Sequence, residues 1–220
     1  MQICPSILEY KAEDYLLTIK KLSPYYKYLQ IDFSDGVYVN SKTAGLDDFI
    51  KIIDPVTFNG LTLDFHLMVK EYETYLTKLE ALKKIINIKN VFIHYDLSPK
   101  YEVVTAKYTF PIGLVLNPQD QIDDLSKQYN LNNISCVQIM SVIPGAQGKP
   151  FMPETLNKIE QLRLLDYRKE IFLDGAVNDK TIPLISSLKH RPDFICPGSF
   201  LAKTDKLKEH VDYLLEYTHG

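Results

Sequence analysis

The sequence has no tryptophan, no Cys-x-x-Cys pair and no excess of positive charge. Its three cysteines, Cys4, Cys136 and Cys196, are odd in number and far apart, which argues against a disulfide framework and against structural zinc. Lysine plus arginine number 25 against 28 aspartates and glutamates, a net charge of −3. No basic surface is therefore expected to draw the chain to nucleic acid or to an acidic membrane. No stretch approaches the ~18 apolar residues that span a bilayer. The opening MQICPSILEYKAED does not read as a signal peptide, because its apolar run meets Glu9, Lys11 and Glu13 at once. A reduced, cytoplasmic protein is expected.

What is present is a regular alternation. Short apolar runs at 2–8, 28–33, 61–66, 91–95, 112–116, 136–140, 171–174 and 193–197 read as strands. Amphipathic segments lie between them, at 12–22, 73–85, 153–165 and 205–217. The 220 residues show no linker or break in composition, so one domain over 1–220 is expected. Eight strands alternating with helices predict an α/β fold, a (β/α)8 barrel. A doubly wound open sheet alternates in the same way, but the first strand-to-helix turn lacks the GxGxxG that would support it.

Polar residues on these apolar strands are the informative feature. Side chains alternate between the two faces of a strand. Leu29, Ile31 and Phe33 share one face, with Gln30, Asp32 and Ser34 on the other; Asp64, His66 and Met68 likewise oppose Leu63, Phe65 and Leu67. Phe172 and Asp174 share a face. Helices cover the outside of a barrel, so the apolar faces point out and the polar ones in. Asp32, His66 and Asp174 then sit near C-terminal strand ends, where barrel enzymes keep their chemistry. Two inward carboxylates suit acid/base work, and with His66 they also suit a divalent metal. A buried polar network holding the strand ends would have the same pattern. His94 ends the fourth strand; His190, His210 and His219 read as surface residues. Glycine-bearing loops follow the last three strands: SVIPGAQGKPF at 141–151, DGAVN at 174–178 and CPGSF at 196–200. Glycine lets backbone N–H groups approach an anion, and loops at this end of a barrel frequently hold phosphate.

These residues resemble the ribulose-phosphate 3-epimerase family from end to end. The resemblance rests on PSILEYKAED (5–14), IDFSDGVYVN (31–40), DFHLMV (64–69) and GLVLNP (113–118), then on MSVIPGAQGKPF (140–151), LDGAVN (173–178) and PGSF (197–200). It implies a (β/α)8 barrel of the ribulose-phosphate-binding type. It also implies inversion of C3 of a ketose phosphate, D-ribulose 5-phosphate to D-xylulose 5-phosphate, through an enediolate. Asp32 and Asp174 match the acid/base pair. Asp32, His66 and Asp174 match three ligands of a divalent metal, zinc, iron or manganese. Ser6 matches a substrate-contacting serine, and Met68 and Met140 match cavity methionines. His66 faces the same substrate. Gly145, Ala146, Gln147, Gly148, Gly175, Ala176, Gly198 and Ser199 match the loops that hold the phosphate. A phosphorylated ketose is the expected partner, and a homo-oligomer the expected assembly.

The departures cluster at the site. Gln30 stands where the family has a metal-binding histidine, so a weakly held or absent metal is expected, since an amide is a poorer ligand than imidazole. Ser34 replaces a cavity methionine, Gln147 a loop glycine and Ala176 the second glycine of DGG, while Lys149 adds a cation. An active epimerase is the leading expectation. A catalytically impaired sugar-phosphate-binding paralogue, or an epimerase for another ketose phosphate such as allulose 6-phosphate, are the alternatives.

Overall fold

The computed structural model describes residues 1–218, so His219 lies outside the described residues. Its strands are β1 (Gln2–Ile3), β2 (Ser6–Ile7), β3 (Tyr28–Ser34), β4 (Thr62–Met68) and β5 (Asn87–His94), followed by β6 (Ile112–Leu116), β7 (Cys136–Met140), β8 (Glu170–Asp174) and β9 (Phe194–Cys196). All pair in parallel, in the order β1-β9-β8-β7-β6-β5-β4-β3-β2. β1 and β2 are successive pieces of one extended segment: β1 pairs with β9 and β2 with β3. The two ends of the sheet therefore meet within this segment and the barrel closes. The strand expected at 2–8 is split for a physical reason. Pro5 has no N–H to give a ladder, and its carbonyl accepts from Gln30 N at 2.9 Å as the segment changes partners.

Alternation along the strands sorts the core into two clusters. Leu29, Ile31, Phe33, Leu63, Phe65 and Leu67 point outward into a large cluster shared with the helices. Cys4, Phe92, Val115, Cys136, Phe172 and Phe194 form a second cluster inside the barrel. Gly113 faces that interior. A Cβ there would lie 2.5 Å from the Phe92 ring and 2.7 Å from Cys136 Sγ, so glycine is what lets Phe92 fill the barrel.

The helix Ala12–Leu22 keeps its expected bounds and buries Tyr15, Thr18, Ile19 and Leu22, the i, i+3, i+4, i+7 stripe of an amphipathic helix. The segment expected at 73–85 is helical only over Tyr72–Leu82. That expected at 153–165 starts as a 3-10 turn, Pro153–Leu156, and becomes α-helical over Asn157–Leu164. The last helix is Leu207–Thr218.

Asp64 shares a face with His66 but lies two residues nearer the N-terminal end of β4, where it is buried. Tyr28 Oη donates to Asp64, as does Asn90 N at 2.8 Å. Burial pushes its carboxyl up to about 7. Lys89 Nζ lies 4.7 Å from the centroid of the Tyr28 ring and 4.5 Å from that of Phe194.

Candidate active site

Asp32 and Asp174 sit at the C-terminal ends of β3 and β8, with His66 between them in sequence on β4. Ladder register places Asp32 beside His66 and Asp174 beside Met140. The helix Ala12–Leu22 fixes the first carboxylate from behind, because Tyr15 Oη donates to the Asp32 backbone carbonyl at 2.6 Å.

The three side chains converge. His66 Nδ1 lies 3.4 Å from Asp32 Oδ1 and 3.6 Å from Asp174 Oδ2. One ligand atom from each falls within 4.8 Å of the others, a carboxylate and imidazole donor set of the kind divalent cations take. Gln30 does not turn a ligand atom to this cluster. Its Nε2 donates to Asp32 Oδ1 at 3.1 Å and to Asp174 Oδ2 at 3.0 Å. Its amide hydrogens, not its oxygen, face the cluster, and Gln30 itself is buried and does not line the cavity.

Gln138, which belongs to none of the sequence motifs, completes the cluster. Its Nε2 donates to Asp174 Oδ2 at 3.1 Å and lies 3.3 Å from His66 Nδ1. The signal was available: in the strand Cys136-Val137-Gln138-Ile139-Met140, Val137 and Ile139 face outward, so Gln138 must face in. His94 stands behind the site. Its Nε2 is 2.9 Å from His66 Nε2, and it touches no part of the cavity.

Electrostatics follow from burial and crowding. Burial pushes the Asp32 carboxyl up to about 6, with Asp174 beside it adding to the rise. Burial pulls His66 down, but Asp174 and Asp32 outweigh it and hold the imidazole at about 9. His94 is held well below the usual imidazole range by burial and by His66.

One cavity of about 60 Å³ collects the expected residues. Asp32, His66, Asp174, Met68 and Met140 form its floor and sides, with Ser6 entering from the closing segment and Cys196 from β9. Gly145, Ala146, Gln147 and Gly148, then Gly175 and Ala176, then Gly198 and Ser199 form its rim, with Lys149 beside them. Ser34 does not reach the cavity; its N–H donates to Thr43 Oγ1 at 3.0 Å. The DGAVN turn is braced by Ser141 Oγ, which donates to Gly175 O at 2.6 Å. Gly175 has φ +115°, and a Cβ there would lie 2.7 Å from Val142. Ala176 adopts φ +50°, a left-handed conformation costly for a residue with a Cβ. Its carbonyl accepts from Asn178 Nδ2 and Thr181 Oγ1, each at 2.8 Å. A second cavity of about 540 Å³, lined by Tyr38, Asp96 and Asn117, adjoins the first across Pro144, Gly145, Ala146 and Lys149. Ser41 Oγ donates to Gly145 O across this divide.

The surface expected for the outer histidines is partial. His210 is half-buried, its ring stacked 4.0 Å from Phe200, and His190 is half-buried with Nε2 3.7 Å from Glu160.

A parallel barrel with carboxylates at its C-terminal mouth and glycine loops around them is the architecture of a (β/α)8 enzyme. The family model for ribulose-phosphate 3 epimerases matches residues 2–200, and the chain belongs to that family. The ribulose-phosphate 3-epimerase of Methanocaldococcus jannaschii is 28% identical over 194 residues, 86% of this chain and 78% of that protein. The one from Helicobacter pylori is 27% identical over 222 residues, 97% of this chain and 96% of that protein. Among solved structures, 3-hexulose-6-phosphate synthase from Salmonella typhimurium superposes with a TM-score of 0.68 at 8% identity, covering 99% of this chain and 98% of that one. At that identity the likeness establishes the barrel and nothing finer. By family the chain is an enzyme, an isomerase of the epimerase type.

Proposed function

We propose that the protein interconverts D-ribulose 5-phosphate and D-xylulose 5-phosphate by inverting C3. The observation that carries this reading is the pair of buried carboxylates, Asp32 and Asp174, brought by β3 and β8 to opposite bonds on one amide nitrogen. One carboxylate removes the C3 proton, leaving an enediolate; the other, protonated, delivers a proton to the opposite face. Burial, with Asp174 beside it, raises the Asp32 carboxyl to about 6, which suits a group that exchanges a proton near neutral pH. His66, held protonated between them, supplies positive charge beside the enediolate oxygens. Zinc, iron or manganese held by Asp32, Asp174 and a neutral His66 would supply Lewis-acid stabilisation there in place of the imidazolium charge. With Gln30 offering hydrogens, we expect that metal to be weakly held or absent.

The phosphate is assigned to the rim formed by the loops at 145–148, 175–177 and 198–199, whose backbone N–H groups would hold it. No helix of length begins at these loops; the one starting at Ser199 ends at Ala202, so loop N–H groups carry the task. The adjoining 540 Å³ space meets this cavity at Pro144, Gly145, Ala146 and Lys149, and it favours a longer ketose such as allulose 6-phosphate as the second substrate reading. Among the described residues no helix is long and apolar enough to cross a membrane. We place the enzyme in the cytoplasm as a homo-oligomer.

The test is an assay of purified protein with ribulose 5-phosphate and allulose 6-phosphate, following C3 inversion by NMR. Turnover of the pentulose phosphate supports the reading. Turnover of the hexulose phosphate alone moves the assignment to the second substrate, and turnover of neither sinks the epimerase reading.

A further inference from the structure

We propose that Gln30 and Gln138 form an amide bracket that takes the place of a divalent cation between Asp32 and Asp174. Its catalytic consequence, proton transfer that needs no metal, rests on the epimerase reading above. The bracket itself rests on geometry alone.

Two buried carboxylates that share one cavity need a positive partner, and that partner can be a cation, a proton or polarised N–H groups. Here N–H groups are in place. Gln30 Nε2 carries two hydrogens, and its bonds of 3.1 Å to Asp32 Oδ1 and 3.0 Å to Asp174 Oδ2 use both. Gln138 Nε2 places a third hydrogen on the same Asp174 Oδ2 at 3.1 Å. These two oxygens are also the ones that His66 Nδ1 approaches. They are the atoms a cation would draw upon.

The distances make the competition direct. A hydrogen bond of this length puts the hydrogen ~2 Å from the acceptor oxygen. A zinc–carboxylate bond is also ~2 Å long. The hydrogens of Gln30 thus occupy the space between the carboxylates that a bound cation needs. Turning the Gln30 amide over would aim Oε1 at two carboxylate oxygens and forfeit both bonds. As placed, Oε1 instead lies 3.9 Å from Cys196 Sγ.

Gln138 strengthens the inference. Its Oε1 is buried without a hydrogen-bond partner, an arrangement that costs free energy. The side chain nonetheless keeps its donors on Asp174 and beside His66. A residue serving only to fill the barrel would need no amide there. The bonds fall on Oδ1 of Asp32 and Oδ2 of Asp174, which leaves the other oxygen of each carboxylate for proton transfer at C3. Neither glutamine lines the cavity, so both are positioning residues.

The experiment compares the full-length native protein with Gln30→His, Gln138→Leu and the double variant Q30H/Q138L. Each is incubated with Co(II) or Zn(II), desalted, and analysed for bound metal by mass spectrometry and, for cobalt, by visible absorption. The native protein should retain no stoichiometric cation, and its epimerase activity should be unchanged by chelation. The double variant should bind metal about ten- to a hundredfold more tightly. Gln138→Leu should lower kcat while leaving KM for the phosphorylated substrate unchanged, and Gln138→Met, of similar length, should behave likewise. A native protein that keeps a stoichiometric cation through chelation would overturn the bracket, as would a folded double variant that binds metal no better than native. If the double variant does not fold, the native measurement decides alone. A protein inactive on every ketose phosphate whose metal affinities still follow the predicted order would sink the epimerase reading and leave the bracket standing.

Discussion

Gln30 and Asp174, separated by 144 residues, are joined inside the barrel by a 3.0 Å hydrogen bond from Nε2 to Oδ2. The bond exists because the sheet closes: β3 and β8 are not neighbours, yet their inner faces meet across the lumen. The same amide reaches Asp32 two residues along its own strand. One side chain thereby sets the spacing of the two groups assigned to proton transfer.

Replacing Asp32 or Asp174 with Asn keeps the shape and removes the transferable proton. Each variant should lose at least ~10²-fold in turnover, within the usual 10²–10⁴ range for general acid–base catalysis. The check is steady-state kinetics with thermal unfolding alongside, since an unchanged Tm with lost turnover separates chemistry from folding. Near-normal turnover in both variants would remove the pair from the mechanism.

Acidity should show at both ends of the pH profile. Asp32 is raised by burial to about 6 and must be ionised to accept a proton, so kcat/KM should fall below that pH. His66 is held at about 9, so loss of its positive charge should bring a second decline above that pH. Stability carries the same sign for His66. Its contribution is complete below the ordinary value of 6.5 and is lost as pH rises through about 9. Urea unfolding across this window checks it, and a His66→Gln variant should flatten the loss.

Much of this site could be read from strand alternation. Asp32, His66 and Asp174 fall on inward faces because Ile31, Phe33, Phe65 and Leu67 must meet helices, a constraint local to each strand. The closing of the barrel was not local. Nothing near residues 2–8 shows that Pro5 divides the segment between β9 and β3. Gln30 was recognised as a departure, but whether its oxygen or its nitrogen faces the carboxylates depends on Cys196 and Asp174, which arrive from distant strands. Gln138 follows the same alternation, but as a neutral amide outside any motif it carries no charge to mark it in the sequence.

Ala176 predicts a stabilising change. At φ +50° its Cβ costs ~1 kcal/mol or more, and glycine carries no such penalty. Ala176→Gly should raise unfolding free energy by about 0.5–1 kcal/mol, reduced from the full strain by the greater freedom of glycine in the unfolded chain. Denaturant unfolding measures it. A loss of stability would mean that the contacts of the Ala176 methyl outweigh the strain.

Glu9 links the closing segment to one side of the cavity rim. Its carboxylate accepts from Lys203 Nζ at 2.8 and 2.7 Å and from Thr18 Oγ1 at 2.8 Å. This ties the segment carrying Ser6 to the short helix that begins at Ser199. Glu9→Gln should weaken binding of the phosphorylated substrate by about 1 kcal/mol, roughly fivefold in KM, with a smaller change in kcat. Competition by inorganic phosphate should weaken in parallel, and an unchanged phosphate affinity would confine Glu9 to a structural role.

The most direct test of the central claim is proton NMR of ribulose 5-phosphate incubated with the native protein in D2O. The account predicts conversion to xylulose 5-phosphate with solvent deuterium at C3 and none at C1, and loss of that exchange in the Asp32→Asn and Asp174→Asn variants. Retention of the C3 proton with no inverted product, by protein shown to be folded, would contradict it.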